Sequence, residues 1–254
     1  MDLSRRSFLL LGGSALVATI FGCDSHCYKE NLSFEIAKQN KSLRQRYLEE
    51  VSKELKGLEF FDSLVYDSTG EKEIDYVARI MLNRDKRLTP EIAQRAAENY
   101  LKEDPGARVP QIFTEYGLGN KSPIFVRDSI FEKNYLRNDK DLLFVLKEHE
   151  YIHAKDQANG LQIGNYKFCQ QTAVDMVSGK VEPALLTIFV ELRALANQFN
   201  KLGSREWKDI SKEMEGFVKN EYRRNVLVVR NYVPNGDLNN YLKKQILDNF
   251  LLIE

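Results

Sequence analysis

A surplus of either charge is missing from this sequence: lysine plus arginine and aspartate plus glutamate both number 37. That balance removes the basic footprint expected of a nucleic-acid binder. Cysteine is scarce as well, with only Cys23, Cys27 and Cys169, and no CxxC pair, which argues against a thiolate metal site. Cys27 and Cys169 are thiols that an oxidising compartment would allow to pair, but spacing along the chain does not say whether they do. No apolar run is long enough for a comfortable bilayer span of roughly 30 Å; the longest, Phe8 to Gly22, has fifteen residues. Repeats, low-complexity tracts and blocks of like charge are absent too. What remains is 43% hydrophobic and 11% aromatic, enough to build a buried core.

The N-terminal segment, MDLSRRSFLLLGGSALVATIFGC, has the order of an export signal: Arg5 and Arg6, a short apolar stretch, then small residues before a cut. SRRSFLL resembles the twin-arginine signal of bacteria, departing only where Leu10 stands in place of lysine. IFGC resembles a lipoprotein cleavage box; Gly22 and Cys23 fit, Ile20 is acceptable and Phe21 is bulkier than usual. The resemblance implies a signal over residues 1–22 and a mature chain acylated at Cys23, held by several acyl chains, since one alone anchors weakly. Asp24, next to that cysteine, implies by the same resemblance retention at the cytoplasmic membrane. Removing residues 1–22 takes away Arg5, Arg6 and Asp2, leaving 35 cationic and 36 anionic side chains, so the mature chain stays near neutral.

Residues 23–32 are expected to be a tether and residues 33–254 a single domain. Helical patterning runs over 33–58, 72–84 and 90–103, the last opened by Thr89-Pro90 and closed by Asp104-Pro105-Gly106. VPQIFTEYG (109–117) and SPIFVRD (122–128) predict two short strands. Helices follow at 139–159, 168–179, 182–202, 205–225 and 237–252, and VLVVRNYV (226–233) reads as a strand or an irregular apolar segment. The fold class expected is α+β, mostly helical, with a small sheet before a central helix.

That central helix carries KEHEYIHAKDQ, residues 147–157, and two of the three histidines. Asn138 or Asp139 can cap it and Gly160 can end it. At about 100° per residue, Leu142, Leu146, His149 and His153 share a stripe, with Glu150 near its edge. Two imidazoles one turn apart can converge on one ion with a carboxylate beside them. The alternative is a pair of core histidines satisfied by hydrogen bonds.

A zinc ion would need a third protein ligand. Glycine at 156 and histidine at 159 would supply one version of the longer motif, but this chain has Asp156 and Asn159. His26 lies in the tether and is a poor ligand. In VEPALLTIFVELRALANQF (181–199), Glu191 shares a face with Ala184, Thr187, Ile188, Ala194 and Leu195, where a carboxylate needs a cation or donor. A metal or a buried lysine or arginine would serve. Asp175, among polar neighbours, reads as solvated, and Glu182 as a first-turn carboxylate.

HExxH resembles the zincin metallopeptidases. HEYIHAKD followed by a helix with Glu191-Leu192-Arg193-Ala194 is similar to small gluzincins, such as the catalytic domain of anthrax lethal factor and the bacterial Mlc titration factor peptidases. The resemblance covers about residues 120 to 200. It implies a zincin-like fold with its sheet against the HExxH helix, and one Zn²⁺ held by His149, His153 and Glu191. It further implies Glu150 as general base, Asp156 as a residue orienting a ligand, and an edge strand at Ile124–Arg127 pairing with extended peptide. A tyrosine often supplies the oxyanion donor in that family; Tyr222 and Tyr232 are the candidates. The protein expected is a lipid-anchored zinc peptidase of the bacterial cell envelope, on the outer face of the cytoplasmic membrane or in the periplasm. Its partners would be a peptide or protein substrate and the membrane, through the lipid. The other class open to the sequence is a non-catalytic lipoprotein, a helical binding module with a structural or vestigial metal site. Replacing both Arg5 and Arg6 by lysine is expected to abolish export, scored by cell fractionation; unchanged export would point to the general secretory route.

Overall fold

Beyond Leu32 the charged segment folds as helix, in two pieces rather than one. The computed structural model describes residues 32–84, 86–103, 112–114, 121–168 and 181–250. Helix α1 (Phe34–Gln39) is capped by Ser33 and stops at Asn40, whose extended backbone and side-chain bond to the Ser42 amide start a short 3-10 turn before α2 (Arg44–Leu55). Phe34, Tyr47, Leu48, Val51 and Leu55 are buried, as their helical spacing demands.

Strand β1 (Phe61–Tyr66) follows, in a segment FDSLVY that carries too weak an alternation to be read as a strand. Helices α3 (Glu71–Arg84) and α4 (Pro90–Glu103) pack through Val77, Ala78, Ala93 and Ala97. Strand β2 (Ile112–Thr114) runs antiparallel, and β1 parallel, to β3 (Ser122–Val126), giving the order β1-β3-β2. All five residues of β3 are buried. This corrects the expectation for Ile124–Arg127: β3 is paired on both sides and has no free edge to offer a peptide, whereas β2 stands at the border of the sheet among the described residues. Apart from Ser122 the strand is apolar, as a doubly covered central position requires.

The histidine helix opens at Asn138, whose side chain accepts from the Asp141 amide, and closes at Gly160 with φ 76°. It is not uniform. Helix α5 (Asp139–Val145) passes into a π-helical turn (Leu146–Glu150) and then into α6 (Tyr151–Asn159). A hairpin of β4 (Leu161–Ile163) and β5 (Tyr166–Phe168) follows, unanticipated by the sequence pattern. The expected helix at 168–179 meets β5 at its first residue, and the rest of it lies outside the described residues.

The C-terminal part is three helices: α7 (Pro183–Lys201), α8 (Lys212–Asn231) and α9 (Gly236–Phe250). Helix α8 begins later than expected, at the Ser211 cap, and runs through 226–231 instead of yielding to a strand. Val226 and Val229 are buried against α7 and α9 while Leu227 and Val228 are exposed, a helical period that overrides the β preference of valine. The class is thus α+β and mostly helical. The sheet's border strand β2 lies against the π turn and α6, and the Phe60 ring packs on Tyr151 at 6.3 Å. Residues 33–254 cluster as one unit. No helix among the described residues is long and apolar enough to cross a membrane.

Asp139, at the first turn of the histidine helix, accepts from the Phe34 amide and the Tyr47 hydroxyl, both at 2.7 Å. Phe131 completes this joint, stacked on Phe34 at 5.5 Å with the Arg44 guanidinium 4.6 Å from its ring centre. Phe131→Ala is expected to cost about 3–5 kcal/mol of unfolding free energy in a urea titration, the usual penalty for emptying a buried aromatic site.

Candidate metal centre

Three acceptor atoms from two helices meet at one point. His149 Nε2 lies 3.2 Å from His153 Nε2 and 3.4 Å from Glu191 Oε2, and His153 Nε2 lies 3.5 Å from Glu191 Oε1, the other oxygen of the same carboxylate. Zinc bound tetrahedrally at 2.0–2.1 Å from each donor requires donor–donor edges of about 3.3–3.4 Å. The three separations are close to those edges, with the carboxylate facing one imidazole through each of its two oxygens. Among the described residues it is the only group of histidine, cysteine and acidic side chains placed to hold a metal ion.

The charge state supports the same fit. His149 Nδ1 lies 3.0 Å from Gln198 Oε1 and donates to it, since an amide oxygen has no proton to give. The lone pair of His149 is thereby left on Nε2, facing an imidazole nitrogen and a carboxylate. Three acceptors this close repel one another unless a proton or a cation lies among them. In the metal-free chain a proton does so. Burial opposes charge on His149, but the hydrogen bond and charge of Glu191, with Glu150 beyond, push it up to about 9. Burial and the neighbouring His149 push His153 down to about 4. Burial works to raise Glu191, yet the two imidazoles hold it well below the usual carboxylate range.

Burial distinguishes the three donors. The His149 and His153 side chains are 14% and 10% exposed, whereas that of Glu191 is 43% exposed, so the triad is reached from the Glu191 side. This revises the sequence expectation for Glu191: its face is not sealed, and what identifies it is its two imidazole neighbours, not complete burial. A pairing with arginine or lysine, the other option, is not what the structure shows; the nearby Arg193 is bonded to Asp156.

Asp156 is placed differently from the implied role. It is buried and accepts from Arg193 at 2.9 and 2.7 Å, a forked pair tying α6 to α7, and it receives no bond from an imidazole. The guanidinium two residues past Glu191 reaches it first. Burial raises the Asp156 carboxyl despite the arginine that opposes that shift. Glu150 is also buried, not at the edge of the stripe as the uniform helix predicted. The π turn adds a residue to that turn of helix and carries Glu150 into line with Leu142, Leu146 and Ala154, all buried. It stands outside the triad but close enough for its charge to act on His149.

Other side chains at the site had no individual signal in the sequence. Glu148 accepts from Asn197 at 2.8 Å and from the Trp207 indole at 3.0 Å, pinning the residue just before His149 to α7 and the segment ahead of α8. Gln198 lies seven residues from Glu191, two helical turns on the same face, and that spacing was the available clue. Tyr135 has its hydroxyl raised to about 12 by burial, then by Glu150 and Glu221. Tyr222 donates to the Phe250 carbonyl and Tyr232 is bonded to Glu182, so neither candidate oxyanion donor is directed to the triad. Arg5, Arg6, Cys23, His26, Cys27, Cys169 and Asp175 lie outside the described residues. No protein-family model, curated protein or solved structure matches the chain, so its chemistry has to be read from these residues.

A cation entering the triad must displace the proton that His149 keeps up to about pH 9. Zinc affinity is therefore expected to rise about tenfold per pH unit from near 5 to near 9 and then level off. Calorimetry at pH 7 in buffers of different ionisation enthalpy should show one proton released per ion.

Proposed function

We propose that this protein is a zinc-dependent peptidase of the HExxH gluzincin kind, with a zincin-like fold, exported by a twin-arginine signal and lipid-anchored at Cys23 in the bacterial cell envelope. The observation that carries this is the convergence of His149 Nε2 and His153 Nε2, 3.2 Å apart, on the two oxygens of the Glu191 carboxylate, at 3.4 and 3.5 Å, with the Glu150 carboxylate buried close enough for its charge to act on His149. Two imidazoles and one carboxylate are a donor set suited to zinc, and three protein ligands leave a fourth position. Bound there, zinc supplies Lewis acidity and a water acidified toward neutral pH.

The chain's own residues divide the remaining work. Glu150 takes a proton on a carboxylate oxygen and returns it to the departing amine nitrogen. Its burial keeps that carboxylate out of bulk water, where proton transfer between fixed groups is better directed. Exposure of the Glu191 side gives substrate a route to the triad. Strand β2, at the border of the sheet among the described residues and against the π turn, is the strand whose outer edge suits an extended peptide, added as one more antiparallel strand.

The test is metal analysis of the purified mature chain together with hydrolysis of a broad peptide library. Glu150→Gln is expected to retain one zinc per chain and to lose about 10²–10⁴-fold in kcat/KM, the range carried by a general base. Zinc binding with cleavage indifferent to Glu150, or with none, would favour the non-catalytic lipoprotein.

A further inference from the structure

We propose that Gln198 is a positioning residue that sets the tautomer and ring orientation of His149, so that Nε2 presents a lone pair at the metal position. This rests on the metal-centre assignment above. A neutral imidazole has a single N–H, and only when it sits on Nδ1 is Nε2 free to ligate. Gln198 Oε1 meets Nδ1 at 3.0 Å, and Gln198 is 1% exposed, so packing holds the amide where solvent cannot replace it. The other end of the amide makes no hydrogen bond among the described residues. A buried amide kept for one bond points to that bond as its purpose.

Three surroundings reinforce the assignment. Gln198 and Glu191 belong to the same helix, α7, seven residues apart, so the third ligand and the residue that orients the first are one rigid unit. Its neighbour Asn197 donates to both the backbone oxygen of Glu148, at 2.9 Å, and its carboxylate, fixing the main chain that leads into His149. His153 has no comparable support: its Nδ1 is buried and finds no hydrogen-bond partner among the described residues. Orientation of the pair falls on the His149 side.

The experiment compares zinc affinity, by chelator competition at pH 7, in the wild-type chain, Gln198→Met and Gln198→Glu. Methionine fills the space and removes the acceptor; glutamate keeps an oxygen at the same reach. The expected result is a loss of about 10–100-fold in affinity for Gln198→Met, largely restored in Gln198→Glu. In the cobalt-loaded wild type and Glu variant, the His149 Nδ1–H resonance should exchange slowly with water. Equal affinity of the Met variant and the wild type would overturn the role of Gln198 while leaving the metal centre intact. A wild-type chain that takes up no zinc would remove the metal centre itself. If the Met variant does not fold, the Glu variant decides: loss of the slow-exchanging resonance, or affinity as weak as about 100-fold below wild type, would overturn the proposal.

Discussion

Repulsion among three electron-rich groups organises this molecule's centre. Two imidazole nitrogens lie 3.2 Å apart, and each has one oxygen of the Glu191 carboxylate within 3.5 Å, brought there by helices that lie far apart in sequence. Such a grouping is unstable unless something positive sits in it, and the surrounding structure resists its collapse. Arg193 and Asp156, Asn197 and Glu148, and Gln198 and His149 form three links between α7 and the histidine helix, spread over its last three turns. Each is individually modest, worth on the order of 1–3 kcal/mol where charge takes part. Their joint effect is geometric: α7 cannot draw the Glu191 carboxylate away from the imidazoles without straining these links to the histidine helix.

The π turn is the second constraint. A regular helix would have carried the two histidines on its core stripe and left Glu150 to one side. The wider turn at Leu146–Glu150 buries Glu150, and His149 faces Gln198 and Glu191 of α7. Such turns sit frequently at functional sites because they re-aim side chains without ending the helix. Here the turn is buttressed from outside: Trp207 packs on Phe144 at 5.1 Å and bonds Glu148, so an aromatic anchor stands directly behind the irregular stretch.

Local signals in the chain mark several elements unaided. The Asn138 cap, the Gly160 stop and the spacing of His149 and His153 are properties of short segments, and short-range rules find them. Pro90 and Ser33 mark helix starts for the same reason. Other elements are hidden. β1 is a short strand with weak alternation, which becomes a strand because β3 offers it a parallel partner. The run from Val226 to Asn231 resembles a strand because valine favours one, yet α7 and α9 provide a surface that only a helical period can fill. β3 is recognisable as a strand, but its central place is not, since a neighbour order is decided by pairing and not by composition.

The amino-acid order alone determined the chemistry available: two histidines one turn apart, a carboxylate between them, and a later helix bearing another. Those follow from helical periodicity, a property of each segment by itself. Tertiary structure decided which carboxylate completes the triangle, which amide stands behind His149, and that Asp156 belongs to Arg193. Those are contacts between residues about 37 to 49 positions apart; they depend on how two helices pack, and packing is settled by the whole core at once.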